Sequence, residues 1–217
     1  MEKERELIKK LEMMFSAESS GHDISHLVRT YNIAKHLQKK EGGNESVILF
    51  SALLHDVHRL IQKETNKFCH PKDSLDTISQ ILRELKVEDK VRQQVQHCIE
   101  FHEEYGFSET GKTVDDIETQ ILQDADNLDA IGAIGIARAF AFGGANGIPI
   151  WVEDIPLGKD HFDESETDPS EIHHFYSKLL KLKENMNTDT AKKMAEERSK
   201  FMELYLDHFF KEWSGNL

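Results

Sequence analysis

The sequence predicts an all-α fold, because apolar residues recur at helical spacing through almost all of its 217 residues. In residues 45–61, for example, the Val, Ile, Leu and Phe side chains stand three or four positions apart, as on the core-facing side of a helix. No pair of alternating segments indicates a β-hairpin, and we find no internal repeat. A chain of this length can bury a large core, so we expect a single domain overall.

The same spacing predicts the helices of residues 1–140 in order, over 24–37, 45–61, 74–85, 91–101 and 117–140. Glycines and prolines mark several boundaries. Gly42 and Gly43 separate two helices, Pro71 suits a first helical turn, and Gly106 and Gly111 flank a loop. Residues 1–140 are therefore the predicted helical core.

Residues 141–170 differ in composition, since three of the chain's four prolines and several glycines stand there among acidic residues. The segment is too long for an ordinary connection, so it is either a disordered insert or a lid over a cleft. Residues 171–217 are predicted to add C-terminal helices that pack on the core, over 170–186 and 188–213, with Thr188 as an N-cap. We expect an aromatic stripe on the last helix to pack in the core: Phe201, Tyr205, Phe209 and Trp213.

The charge balance limits the possible partners. Against 27 Lys and Arg stand 40 Asp and Glu, a formal charge of −13, which opposes binding to long nucleic acids or to anionic membranes. No stretch approaches the roughly 20 apolar residues of a membrane span, and the charged start does not resemble a signal peptide, so we expect a cytoplasmic protein. The 2 cysteines indicate neither a disulfide framework nor a zinc clip. The apolar faces of the helices can be buried either in one core or in part at a dimer interface, so we expect a monomer or a homodimer.

Three segments combine histidine and carboxylate side chains with apolar helical patterns. His55 and Asp56 stand side by side at the end of an apolar run, where burial is costly unless a metal ion or another group pairs with them. A solvated pair at a helix end is the alternative. His26 and Arg29 share one helix face, and an apolar helix carries three further carboxylates, Asp124, Asp126 and Asp129. Of Asp126 and Asp129, one could bind metal while the other orients a ligand.

The order His, His-Asp, Asp resembles the HD superfamily of metal-dependent phosphohydrolases. The motifs His26-x-x-Arg29 and Leu54-His55-Asp56 and the runs 122–135 and 174–182 are similar in particular to small single-domain bacterial HD hydrolases. This resemblance implies an HD-domain helical bundle with a metal site between helices and additional C-terminal helices. It also implies the metal ligands, which are His26, His55, Asp56 and Asp126. Spacing alone leaves open which of the three aspartates of the third segment binds.

Further residues of this pattern have more than one candidate role. His70 and His102 lie in the order of extra ligands in two-metal HD proteins, so each is a candidate for a second metal ion, a phosphate contact or proton donation, or else is a capping or surface histidine. His22, His58 and His97 have weaker claims. An acidic residue often follows the His-Asp doublet in such proteins, whereas Arg59 stands here, either to contact phosphate or at a solvated helix end.

The resemblance implies hydrolysis of a small phosphorylated substrate by metal-bound water, with a divalent ion (Mn, Ni, Co, Mg, Fe or Zn) as cofactor. We assign catalytic roles to Asp56, which steers the water, to Arg29 and to His102, and predict further substrate contacts from Arg59, Lys178, Lys181 and Arg198. The leading expectation is a nucleotide, with release of pyrophosphate from a (deoxy)nucleoside triphosphate, followed by phosphatase activity. The alternatives are an HD-related di-iron oxygenase and a catalytically weak metal-binding regulatory protein.

Overall fold

The computed structural model describes residues 2–18, 21–104, 114–158 and 167–216, and in these residues the chain is helical without any strand. The prediction of an all-α fold is confirmed. The α-helices are α1 (Glu2–Met14), α2 (Ile24–Glu41), α3 (Glu45–Leu54), α4 (Val57–Thr65), α5 (Leu75–Glu84), α6 (Asp89–Phe101), α7 (Ile117–Asp129), α8 (Gly132–Asn146), α9 (Glu171–Ser177) and α10 (Asp189–Trp213). Two 3-10 segments cover Pro71–Ser74 and Leu179–Asn185.

Helix α3 is the central element of the core. All of its residues from Val47 to Leu54 are buried, so it is covered on every side, as its almost unbroken apolar sequence requires. It packs against α2, α6 and α7, while α2 also packs along α7. Helix α1 packs on α2 and α3 and buries Leu7 and Leu11.

The prediction of one helix over residues 45–61 is wrong, because the structure breaks it at the His-Asp doublet. Helix α3 ends at Leu54 and α4 begins at Val57, with Asp56 in the intermediate conformation φ −92, ψ 10. Apolar residues continue at the same spacing on both sides of the break, so periodicity could not reveal it. As a result His55 and Asp56 lie in a turn and point into the space between α2 and α7.

The predicted helix over residues 117–140 is also two helices, α7 and α8, which meet at 72°. Gly132 starts α8 at φ +76, a left-handed conformation that disfavours other residues, and a Cβ there would lie 3.0 Å from Cβ of Arg198. The bend therefore depends on a glycine against which α10 packs closely. No single described helix is long and apolar enough to cross a membrane, and only this bent pair has the required length and composition together.

The C-terminal region differs in part from the prediction. The segment 170–186 is not one helix, since α9 ends at Ser177 and a 3-10 segment follows. Helix α10 is present as expected, packs on α2, α7 and α8, and is capped by Thr188, whose Oγ1 accepts a hydrogen bond from the amide of Ala191 at 3.3 Å. The aromatic stripe is half exposed: Phe201 and Trp213 are 48% and 51% accessible, so their predicted core position is wrong. The buried face of α10 consists instead of Ala191, Ala195, Ser199, Met202 and Leu206.

The region predicted as a lid or disordered insert starts as helix, since α8 continues to Asn146. The chain after it packs on α9: the amides of Glu171 and Ile172 donate to the carbonyls of Pro149 and Ile150, and Trp151 stacks on His173 at 4.8 Å. Residues 159–166 lie outside the described residues, and the choice between lid and insert stays a prediction. The loop predicted around Gly106 and Gly111 also lies outside them.

Candidate metal centre

Four side chains from three parts of the fold converge on one point: His26 of α2, His55 and Asp56 of the turn before α4, and Asp126 of α7. Nε2 of His26 lies 3.0 Å from Nε2 of His55, 3.3 Å from Oδ2 of Asp56 and 3.4 Å from Oδ1 of Asp126. Nε2 of His55 lies 3.6 Å from the same Asp126 oxygen. These are the residues that the HD motif predicts as metal ligands, and they include a group whose spacing could hold a metal ion.

Both histidines present a lone pair to the centre. Nδ1 of His26 donates to Oδ2 of Asp129 at 2.8 Å, and Nδ1 of His55 donates to the carbonyl of Ala52 at 3.0 Å. With the proton on Nδ1, each neutral ring leaves Nε2 free as a metal ligand. Two lone pairs only 3.0 Å apart repel unless a proton or a cation lies between them. The donor set therefore fits a bound cation.

The charges of the centre also favour a cation. Burial lowers the pKa of the His55 imidazole, but Asp56 and Asp126 outweigh this effect and raise it to about 9. Burial likewise opposes the ionisation of both aspartates, yet the histidines hold the pKa of each carboxyl well below its usual range. His26, His55 and Asp56 are almost inaccessible, whereas the Asp126 side chain is 19% exposed. Asp126 thus lies on the open side.

The three aspartates of α7 have different surroundings. Asp126 faces the two histidines, whereas Asp129 lies behind His26, accepts a hydrogen bond from Nε of Arg29 at 2.7 Å and forms an ion pair with Nη1 of Arg138 at 3.1 Å. Asp124 points the other way. Its carboxylate accepts hydrogen bonds from the amides of Asn187 and Thr188 at 2.7 and 2.8 Å, at the start of α10. Of the three aspartates that the sequence offers as metal ligands, Asp126 therefore faces the centre, Asp129 supports His26, and Asp124 binds the start of α10.

His102 and Arg59 lie beside the centre. His102 is buried, its ring is 5.3 Å from that of His55, and its Nδ1 donates to the carbonyl of Ile99 at 2.7 Å. Arg59 is not at a solvated helix end, because its Nη2 donates to Glu103 at 2.7 Å and its Nε lies 3.6 Å from Asp56. Burial raises the pKa of Glu103, but Arg59, His102 and His58 outweigh it and hold the pKa at about 2.

The other residues that the sequence offered for the site lie elsewhere in the fold or have other partners. His70 is exposed and is the N-cap of the 3-10 segment, where its amide donates to Asp73 at 2.8 Å, which fits the capping alternative. Arg198 donates to the carbonyl of Leu128 at the end of α7. Lys178 and Lys181 are half-buried at and after the end of α9. Their contacts to substrate stay predictions.

Sequence reasoning missed Glu103 and undervalued His22. Glu103 stands among the charges of Glu100-Phe101-His102-Glu103-Glu104, where nothing distinguishes it from a solvated residue. His22 precedes α2, and its Nδ1 lies 2.7 Å from Oδ2 of Asp56, so it reaches the centre from the loop. Its place four residues before His26 was the available signal.

The HD domain family model matches residues 23–131, half of the chain, and the chain therefore belongs to the HD domain family. The matched residues contain all four converging side chains. The chain is similar to YpgQ of Bacillus subtilis (strain 168), with 32% identity over 94% of this chain and 91% of the relative. The structure of YpgQ in complex with ADP has a TM-score of 0.71 over 94% of this chain and 97% of that one, at 32% identity.

Two further solved structures cover nearly the whole chain. An HD-superfamily hydrolase from Bacillus thuringiensis is 38% identical, with a TM-score of 0.72 over 98% of this chain and 97% of that chain. A Lactobacillus plantarum protein is 32% identical, with a TM-score of 0.82 over 99% of this chain and 98% of that chain. The similarity therefore extends beyond the HD motif to the C-terminal helices.

Proposed function

We propose that the protein is a divalent-metal-dependent phosphohydrolase that acts on a small phosphorylated substrate, in particular a nucleotide. The observation that carries this proposal is that Nε2 of His26 and Nε2 of His55 lie 3.0 Å apart, and that each lies 3.3–3.9 Å from one oxygen of Asp56 and one of Asp126. Such distances between ligand atoms are those that one ion bound to all of them would produce. Membership of the HD domain family supports the same reading.

The proposed ligands are His26, His55, Asp56 and Asp126. Their mixture of nitrogen and oxygen donors suits Mn, Fe, Co, Ni and Zn better than calcium, and four protein ligands leave coordination positions for water and substrate. When bound, the ion supplies an acidified water and neutralises negative charge on phosphoryl oxygens. The one ligand on the open side, Asp126, marks the direction from which substrate approaches.

Other residues of the chain bind and orient the substrate. Arg29 is about one-third exposed and is held against Asp129 by two hydrogen bonds, at 2.7 and 3.0 Å, so its remaining donors are fixed in direction. A guanidinium fixed in this way matches the oxygens of a phosphate group. We assign His102 the transfer of a proton at Nε2, because that buried nitrogen has no hydrogen-bond partner among the described residues.

The nucleotide is proposed from two observations. YpgQ, which is similar over almost the whole chain, has been crystallised with ADP. The formal charge of −13 opposes binding to a long polynucleotide, whereas a mononucleotide can be neutralised locally by the ion and by Arg29. Pyrophosphate release from a (deoxy)nucleoside triphosphate is the leading reaction, and hydrolysis of a phosphate monoester is the second.

The test is release of phosphate and of pyrophosphate from a panel of nucleotides and simple esters. Metal-stripped protein is assayed with Mn, Ni, Co, Mg, Fe or Zn added. We expect metal-dependent release that falls at least about 100-fold in His55→Ala, since even partners of metal ligands cost 10–100-fold when lost. Exposed His97→Ala, which changes a histidine away from the centre, is the matched control and keeps the wild-type rate.

The two alternatives give different results in the same experiment. A metal-loaded, folded protein that releases neither product from any substrate would contradict the hydrolase and favour a regulatory protein. Two irons per chain together with oxygen consumption would favour the di-iron oxygenase.

A further inference from the structure

A second group of donors shares Asp56 with the metal centre. We call it the Glu103 cluster, and its members are Asp56, His58 and Glu103, each of which has one donor atom within 4.8 Å of the others. Asp56 directs its two oxygens differently: Oδ2 lies 3.3 Å from Nε2 of His26, whereas Oδ1 lies 3.6 Å from Nε of Arg59. One carboxylate therefore connects the metal centre with the Glu103 cluster.

The cluster contains buried nitrogen lone pairs. His58 is fully buried, its Nδ1 donates to the carbonyl of His55 at 3.0 Å, and its Nε2 has no hydrogen-bond partner among the described residues. The same holds for Nε2 of His102, whose ring is 6.3 Å from that of His58. A buried acceptor without a donor is costly, and an imidazole lone pair beside carboxylates is a typical metal ligand. These features describe a site for a second cation.

The guanidinium of Arg59 already lies between the carboxylates of this cluster. Nη2 of Arg59 is 2.7 Å from Oε1 of Glu103, the same oxygen that lies 3.6 Å from Nε2 of His58. The guanidinium thus spans from Asp56 to Glu103 and neutralises both carboxylates. A second divalent ion would have to displace it, because two cations at the same oxygens repel each other at short distance.

We propose that the guanidinium of Arg59 fills a latent second cation site, so that the protein holds one divalent ion where the donors alone would hold two. This inference rests on the proposed function and specifies the metal content of its centre. Arg59 acts as a fixed positive charge beside the bound ion.

The test is the metal stoichiometry of Arg59→Met, which keeps the apolar stem of the side chain and removes its charge. We expect one Mn ion per wild-type chain and two per variant chain, measured by equilibrium dialysis and elemental analysis. Two ions that share Asp56 would lie about 3.5–4 Å apart. Their spin coupling should weaken the EPR signal of isolated Mn in the variant. Arg59→Met combined with Glu103→Gln should return to one ion.

The matched control is Arg92→Met on α6, which removes an arginine that is ion-paired with Asp89 and should leave one ion per chain. Circular dichroism shows whether each variant is folded, and Arg59→Gln replaces the methionine variant if that one is not. The inference is overturned if folded Arg59 variants still bind one ion. It is also overturned if wild type binds two ions and loses one in His58→Ala.

His55→Ala separates this inference from the proposed function. Loss of one ion from both wild type and Arg59→Met would show that the first ion occupies the four-residue centre. Retention of all ions in His55→Ala would contradict the proposed centre itself, whatever the effect of Arg59.

Discussion

Asp129 shows how one residue behind a proposed metal ligand determines the tautomer and the orientation of that ligand. Its carboxylate holds the Nδ1 proton of His26 and accepts from Arg29, and burial, which raises its pKa, is outweighed by these partners, so that the pKa is about 2. The imidazole is thereby fixed in both tautomer and orientation. A side chain that never touches the ion therefore controls one of its four proposed ligands.

We predict that Asp129→Asn weakens metal binding by about 10–100-fold, as is typical when such an outer partner is lost. The amide keeps the shape of the carboxylate but loses its charge and can offer hydrogen-bond donors to His26 and Arg29. Titration calorimetry with Mn measures the effect. Asp116→Asn is the control, because Asp116 is the N-cap of the same helix and pairs with an exposed histidine, His97, at 3.2 Å. Equal metal affinity of the two variants would contradict the role of Asp129.

The sequence could predict the four converging residues because they belong to a motif whose order along the chain is distinctive. It could not predict the partners of these residues. Glu103 reaches Arg59 across 44 positions, and Arg138 reaches Asp129 from a different helix, so neither contact leaves a local pattern. Three-dimensional contacts of charged side chains are decided by helix packing, which spacing within one helix does not encode.

The helices were predicted well where one face is buried. They were predicted poorly where the chain turns while the spacing of its apolar residues stays helical. Helices α2, α6 and α10 match their predicted segments within a few residues. The breaks at Asp56 and Gly132 were missed, because both lie between segments of the same apolar spacing. Each break has a local cause, a non-helical φ and ψ at Asp56 and a positive φ at Gly132. Only the glycine could have served as a signal.

Helix α9 begins with a buried carboxyl, Glu171, which lies against Gly143 of α8. Burial first, and Asp168 second, raise its pKa from 4.5 to about 7. The folded protein thus binds this proton more tightly than the unfolded chain does. The stabilisation is complete below pH 4.5 and is lost as the pH rises through 7.

We predict that Glu171→Gln removes this pH dependence. At pH 8 the variant should be more stable than wild type, by at most about 3 kcal/mol at 1.36 kcal/mol per pKa unit, and the difference should shrink toward pH 4.5. Urea unfolding at several pH values measures it. Glu196→Gln, which changes a largely exposed residue of α10, should follow wild type. A Glu171→Gln curve parallel to that of wild type would refute this account.

For the molecule as a whole, α7 connects the candidate metal centre to the C-terminal helix. It presents Asp126 to the histidines and Asp124 to the start of α10, where the carboxylate accepts from the hydroxyl of Thr188 at 2.7 Å as well as from two amides. Residues two positions apart thus have separate tasks. One belongs to the proposed chemistry, and the other attaches a helix of 25 residues to the core.

We predict that substitutions of Asp126 and Asp124 have different effects. Asp126→Asn should lose metal and activity while the protein stays folded. Asp124→Asn should keep its metal but lose about 1–3 kcal/mol of stability, because an NH2 donor replaces one of the two oxygens that accept from Asn187 and Thr188 at the start of α10. Elemental analysis and thermal unfolding distinguish them. Loss of metal in Asp124→Asn with no loss in Asp126→Asn would reverse the assignment.

The hydrogen bond between His26 and Asp129 joins residues 103 positions apart, and His55 lies between them in the chain. No short stretch of a growing polypeptide therefore contains the whole centre. During synthesis on the ribosome, at about 5–20 residues per second, the centre cannot form until α7 has emerged, well after both histidines. If the centre binds the proposed ion, its complete set of ligands is therefore available only late in synthesis.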